Sequence, residues 1–232
     1  FLFVTATDTA PLCGAHRNAG IRRYFASAMN NEYHAETGLR ILLGFVAREA
    51  ARYDRGVEPL FCFSREHYCR LHVRLLRGAA SADRSCRAMG YVLQCPSCIY
   101  RTHAAGVLPP QGECPYCGKP LVPIGPLWTG PLQDRDVLVR VSELVPGSGY
   151  RLSARLQKLV DACLGELDIP FHYDYHRVAR YFRVSPPPIE RVIDSLRGCG
   201  YAASRAHFSG TAIKTDAPLS ALRDALAGDR RD

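Results

Sequence analysis

The residues best suited to chemistry in this chain are four cysteines. Cys95-Pro96-Ser97-Cys98 and Cys114-Pro115-Tyr116-Cys117-Gly118 are two Cys-x2-Cys pairs with fifteen residues between them. Each pair turns tightly enough to aim two thiolates at one point, and four thiolates complete a tetrahedron around a zinc ion. A closed set of four sulfurs leaves no position for water, so the expected role is structural rather than catalytic. Chance or disulfide pairing is the competing reading. His103 lies between the pairs and could in principle replace a cysteine; with four present it is expected on the surface. Cys13, Cys62, Cys69, Cys86, Cys163 and Cys199 have no framework spacing, and a reducing cytosol suits them better than an oxidising compartment. None has the His and Asn or Asp neighbours that mark a nucleophile, so they are expected to be buried small hydrophobes.

The second chemical signal is charge. Thirty Lys and Arg face 22 Asp and Glu, a formal net charge of +8, and nearly all the cations are arginine. Arginine's planar fork suits phosphate and stacks on bases, which makes a polyanionic partner plausible, although a GC-rich genome also raises arginine. The chain of 232 residues is 47% hydrophobic and 22% charged, an ordinary globular composition long enough for two or three domains. No apolar run approaches the roughly 20 residues of a membrane-spanning helix. The chain opens on Phe1 with no basic leader, and it reads as cut from a longer protein rather than secreted.

These residues need elements to position them. Phe1 to Val4, followed by Thr5, Ala6, Thr7 and Asp8, reads as a short strand buried on both faces. Ligands gather at the carboxyl ends of such strands, so Thr5, Thr7, Asp8 and Thr9 are candidate pocket residues. The plainer alternative is a buried strand with Asp8 capping the next segment. From Gly38 to Asp54, Leu39, Leu42, Leu43, Val46, Ala50 and Tyr53 make an apolar helical face, with Arg40, Arg48, Arg52 and Arg55 opposite as a solvated face or an RNA track. Val57 to Phe63 and His67 to Leu76 read as paired strands. In the second, Cys69, Leu71, Val73 and Leu75 alternate with Arg70, His72 and Arg74. A helix from Gly78 to Met89 and a strand from Gly90 to Gln94 lead into the cysteines. Glycines and prolines mark loops over 106 to 131, with a rigid turn at Gly125 to Pro131 around the only Trp.

After a linker at Pro146 to Gly149, helices are expected at about 152 to 166, 174 to 183 and 187 to 198. Ser185 is placed to cap the third, and a hairpin follows over Tyr201 to Thr215. This order resembles a winged helix. The third helix mixes Glu190 and Asp194 with Arg191 and Arg197, which argues against a major-groove role, whereas the hairpin carries Arg205, His207 and Lys214. The candidate RNA contacts are therefore Arg40, Arg70, Arg74, Arg205, His207 and Lys214.

Several longer words go beyond composition: VTATDTAPLCG at 4–14, GLRILLG at 38–44, GPLW at 125–128, SPPP at 185–188 and IKTDAP at 213–218. They resemble, in order and along nearly the whole chain, the tRNA (guanine(26)-N(2))-dimethyltransferase family. The resemblance implies the end of a class I, Rossmann-like domain using S-adenosylmethionine, then a C-terminal domain that helps hold tRNA, with methyl groups going to N2 of guanine 26. It implies a donor pocket and an Asp-Pro-Phe-Gly motif, carrying the catalytic Asp, before the strand matched by Phe1 to Asp8. These 232 residues contain no such motif, so no catalytic residue is carried over, and the chain alone is expected to be inactive. The expected organisation is an α/β methyltransferase end over 1–77, a zinc-ribbon segment over 78–147 and an α+β winged-helix-like tRNA-binding region over 148–232, in a cytoplasmic protein of unassigned oligomeric state. The competing function is a zinc-ribbon and winged-helix module that binds RNA or DNA without catalysis. An opening on an orphan core strand argues for the enzyme.

Overall fold

The computed structural model describes residues 1–228. The chain is a mixed α/β protein in two compact units, Phe1–Asp134 and Arg135–Asp232. This division by packing differs from the three-part functional division expected from the sequence.

The first unit is built on two three-stranded antiparallel sheets and one buried helix. β1 (Leu2–Ala6), β2 (Arg55–Arg65) and β3 (Tyr68–Arg77) form a sheet in the order β1-β3-β2. Both outer strands run antiparallel to β3, so β1 and β2 point the same way. Leu2, Val4 and Ala6 lie opposite Val73, Leu71 and Cys69, whereas Phe3 and Thr5 share the other face with His72 and Arg70. β1 is not buried on both faces as expected. It pairs on one side only, its side chains alternate between half-buried and exposed, and Phe3 is 60% exposed.

β4 (Met89–Gln94), β5 (Arg101–Ala105) and β6 (Val122–Trp128) form the second sheet, in the order β5-β4-β6. The expected rigid turn around Trp128 is largely this last strand. Pro123 and Pro126 hid it, but β6 is an edge strand of its sheet, laddered to β4 and otherwise bridged through Gly125 to Ser27, and such an edge tolerates residues that cannot donate. Helix α1 (Arg17–Tyr24) follows β1, α2 (His34–Ala51) packs on β2, β3 and β6, and α3 (Ala79–Arg87) covers β2.

The words around GLRILLG are explained by α2. Every residue from Glu36 to Gly44 is buried, so this stretch is enclosed all round rather than amphipathic. Gly44 is required by close approach: a Cβ there would lie 2.7 Å from Met89 Cε and 3.1 Å from the Trp128 nitrogen.

The second unit contains α4 (Arg135–Leu144), α5 (Ser153–Gly165), β7 (Tyr173–Asp174), α6 (Tyr175–Phe182), α7 (Ile189–Gly198), β8 (Ala203–Arg205), β9 (Ala212–Thr215) and α8 (Leu219–Ala227). Its small sheet has the order β7-β9-β8. Val160, Val192, Leu196, Ile213, Leu222 and Leu226 form its buried core. Asp174 caps α6 by accepting the Arg177 N–H at 2.9 Å. Ser185 does not cap α7; that helix starts at Ile189, with Pro188 as the N-cap and no side-chain capping bond.

Candidate metal centre

The two cysteine pairs sit on matching tight turns. After β4, the Cys95 N–H donates to Tyr100 O at 2.9 Å, and the backbone N–H groups of Ser97 and Tyr100 point at the sulfurs of Cys95 and Cys98, both at 3.4 Å. After β5, the Cys114 N–H donates to Lys119 O at 2.8 Å, and Gly118 turns the chain with φ +67, a left-handed conformation that glycine adopts without strain. Cys95 and Cys117 Sγ are 3.4 Å apart, Cys98 and Cys114 Sγ are 3.5 Å apart, and all four sulfurs lie within 4.8 Å of one another. Sulfurs at about 2.3 Å from one ion stand about 3.8 Å apart in a tetrahedron, so the donor set fits a tetrahedral thiolate-binding metal ion. All ten cysteines are free thiols, which leaves the disulfide reading without support. Burial pushes the Cys98 thiol up to about 12, whereas at Cys95 the Ser97 N–H and the neighbouring thiols outweigh burial and hold it at about 7. Loading a metal therefore means displacing protons, and affinity weakens as the pH is lowered. His103 stands exposed on β5 and is outside this cluster.

The cluster is anchored to the helical part of its unit through Gln94. Its amide donates to the carbonyls of Cys95 at 2.9 Å and of Cys98 and Tyr100 at 3.3 Å, and its oxygen accepts from Tyr33 Oη at 2.6 Å. Tyr33 is the N-cap of α2 and fully buried. Beside it, Arg101 lies 4.6 Å over the Tyr33 ring and pairs with Glu32 at 3.3 Å.

At the carboxyl end of β1, Asp8 is held by Arg23 of α1 at 2.6 Å, with both side chains more than half exposed. Arg70 donates to the Thr5 hydroxyl and also to His72 Nε2 at 3.3 Å. Arginine only donates, so Nε2 must be the bare nitrogen, and Nδ1–H donates to Phe61 O at 2.8 Å. Burial and the Arg70 charge push the His72 pKa down, consistent with a neutral ring. Thr7 is exposed and Thr9 half-buried, and the Thr9 carbonyl accepts from Cys13 N at 2.8 Å.

Three candidate RNA contacts turn out to face inward. Arg40 has no exposed surface: it pairs with Glu36 at 3.0 Å and donates to Trp128 O and Gly130 O at 3.2 and 2.9 Å. Lys214 is buried against Glu166 at 2.7 Å. His207 is enclosed, with Nδ1 at 2.6 Å from the same carboxylate. Helical periodicity put Arg40 on a polar face, and His207 and Lys214 were expected on the hairpin as charged residues; ion pairing let the fold enclose all three. Arg74 remains partly exposed but pairs with Glu58 at 2.7 Å, and Arg205 pairs with Glu190 at 2.6 Å. The expectation for the other cysteines holds for Cys62, Cys69 and Cys163, whereas Cys86 and Cys199 are exposed. Burial pushes the Cys13 thiol up to about 12 and Cys69 to about 11, which makes both poor nucleophiles.

Missing from the sequence candidates was α1, with exposed Arg17, Arg22 and Arg23. The signal was present: no Asp or Glu stands between Asp8 and Glu32.

A family model described as N2,N2-dimethylguanosine tRNA methyltransferase matches residues 1–227. The tRNA (guanine(26)-N(2))-dimethyltransferase of Methanoculleus marisnigri is 57% identical over 228 residues, 98% of this chain and 62% of that protein. The corresponding protein of Methanoregula boonei is 55% identical, over 98% of this chain and 61% of its own length. Among solved structures, the complex of Trm1 from Pyrococcus horikoshii with S-adenosyl-L-methionine superposes with a TM-score of 0.89 at 36% identity, covering 97% of this chain and 58% of that one. The chain thus spans about 60% of the length of these relatives.

Proposed function

Since the chain belongs to the N2,N2-dimethylguanosine tRNA methyltransferase family, we propose that the protein it represents transfers methyl groups from S-adenosylmethionine to N2 of guanine 26 in tRNA. The observation that carries this reading is the 57% identity to a tRNA (guanine(26)-N(2))-dimethyltransferase along 98% of the chain. A stand-alone binding module without catalysis has no comparable support.

S-adenosylmethionine supplies an activated methyl group to the amine. Guanine N2 is a weak nucleophile because its lone pair is delocalised into the ring, so an enzyme must align it and accept its proton. The Asp-Pro-Phe-Gly motif implied for that task does not occur in these residues, and no step of the transfer is assigned to a side chain here. The contribution of this chain is positioning. In our reading, residues 1–77 close a Rossmann-like sheet, which the common direction of β1 and β2 around antiparallel β3 supports. Thr5, Thr7, Asp8 and Thr9 then form a pocket wall at a strand end. Residues 78–147 carry structural zinc on Cys95, Cys98, Cys114 and Cys117. Residues 148–232 form a winged-helix-like tRNA-binding region, which the succession α5, β7, α6, α7, β8, β9 and the sheet order β7-β9-β8 support. Among the described residues no helix is long and apolar enough to cross a membrane, and we place the protein in the cytoplasm.

The test uses the whole protein, labelled S-adenosylmethionine and tRNA transcripts with G or A at position 26. Label should enter only the G26 transcript, as N2-methylated guanosine. Equal labelling of both transcripts, or none, would overturn the reading. The 232-residue chain alone should bind tRNA in a salt-dependent way and transfer no methyl group.

A further inference from the structure

We propose that the outward face of α1, carrying Arg17, Arg22 and Arg23, is a phosphate-binding surface that grips the tRNA backbone beside the carboxyl end of β1. The inference rests on the tRNA reading and names a contact surface for it.

Charge is the first ground. His16, Arg17, Asn18, Arg22 and Arg23 are exposed, and Arg17 and Arg22 line one shallow depression with His16 and Asn18. The 23 residues from Thr9 to Asn31 contain no carboxylate side chain. Asp8 neutralises only Arg23, while Arg17 Nε spends one donor on the uncharged Ser27 hydroxyl at 3.0 Å. Two guanidinium groups on one short helix therefore keep their full charge, which is costly by self-repulsion unless an anion is close. Arg17 also sits in the first turn, where the helix dipole disfavours a cation and no acidic residue offsets it. The uncapped helix end adds little by itself; the side chains carry the argument.

Rigidity is the second ground. The inner face of α1 is clamped: a Cβ on Gly20 would come within 2.6 Å of Pro11 O, and Tyr24 packs edge-on against Phe45 of α2 with ring centres 5.5 Å apart. Arg48 of α2 donates to Tyr24 O at 2.5 Å, and Ser27 and Gly125 exchange backbone hydrogen bonds at 2.8 and 2.9 Å. The charged face is thus presented on a fixed frame, so less ordering entropy is lost when phosphate binds. Phe25, 73% exposed at the C-terminal end of α1, adds an aromatic face of the kind on which unpaired bases stack. Arginines next to an exposed aromatic favour RNA over an acidic protein or an anionic lipid surface. The Asp8–Arg23 pair places this helix at the strand end that the pocket reading invokes.

The experiment compares tRNA binding by the full chain, and turnover by the whole protein, for wild type, R17Q/R22Q and the charge control R84Q/R87Q on α3. For R17Q/R22Q the Kd should rise at least tenfold. The slope of log Kd against log salt should flatten by about 1.5, two lost phosphate contacts at roughly 0.7–0.9 each. In the whole protein, KM for tRNA should rise with kcat nearly unchanged, and R84Q/R87Q should behave as wild type. Thermal unfolding verifies that the variant is folded; should it fail to fold, the single variant R22Q, at a side chain with no hydrogen bond or ion pair among the described residues, carries the same comparison with half the slope change. An unchanged Kd and slope, or an equal loss in R84Q/R87Q, would overturn the inference. So would loss of adhesion to vesicles of anionic phospholipid with tRNA binding intact, which would point to a membrane surface. Wild type that binds tRNA while the variant binds equally well defeats this inference alone, whereas wild type that neither binds nor methylates tRNA defeats the functional reading beneath it.

Discussion

Glu36 and Arg40 are one turn apart on α2 and neither has exposed side-chain surface. Removing a charge from water is expensive, and this pair tolerates burial because Arg40 also donates to two main-chain carbonyls. Glu36→Ala removes this carboxylate from an enclosed guanidinium, and it should lower stability by about 3–5 kcal/mol. Urea denaturation of Glu36→Ala, Arg40→Met and the double variant measures this, with the double variant losing less than the sum of the singles. His207 makes a second residue-scale case. Burial pushes its imidazole down, but the Glu166 carboxylate and Cys163 more than offset that and raise it to about 10, against an ordinary value of 6.5. A group whose pKa is raised on folding stabilises the fold fully below the unfolded value. That contribution is present below pH 6.5 and is lost as pH rises to about 10. The stability gap between wild type and His207→Gln should therefore narrow over this window in urea titrations at a series of pH values; a gap independent of pH would refute the assignment.

Elements were legible where a period or a spacing had one physical solution. The alternation in β3 and the two cysteine turns read correctly, because pleat and metal geometry each admit a single arrangement of those residue types. In the second unit the three expected helices correspond to α5, α6 and α7, whereas α4 and α8 were not expected. Burial was not legible. A lone arginine stripe looks the same in sequence whether water or a carboxylate four residues away receives it, and Arg40 has the latter. β6 was hidden by its prolines, and α1 by its composition, since RNAGIRRY has too few apolar residues to show a face. The metal turns yield the prediction of this scale. Cys95→Ser with Cys117→Ser removes two of four donors, so the purified protein should contain less than stoichiometric zinc by elemental analysis. The segment from β4 to β6 should then exchange its amide hydrogens rapidly while the second unit keeps its protection. Wild-type protein free of bound metal would sink this account.

At the scale of the molecule, each unit has its own core, and the first spans Phe1–Asp134. There the β1 strand end, the basic helix and the cysteine cluster share one packed body, with α2 at its centre. The positioning role proposed for this chain depends on that packing. The Gln94 side chain makes that positioning indivisible. One amide group holds three carbonyls of a metal turn on one side and the α2 N-cap on the other. Chelating a metal held there would therefore act at a distance: the turn loosens, Tyr33 loses its acceptor, and α2, against which α1 packs, loses an anchor. In a cell short of zinc, the first unit is therefore expected to lose order from the cysteine turns inward to α2.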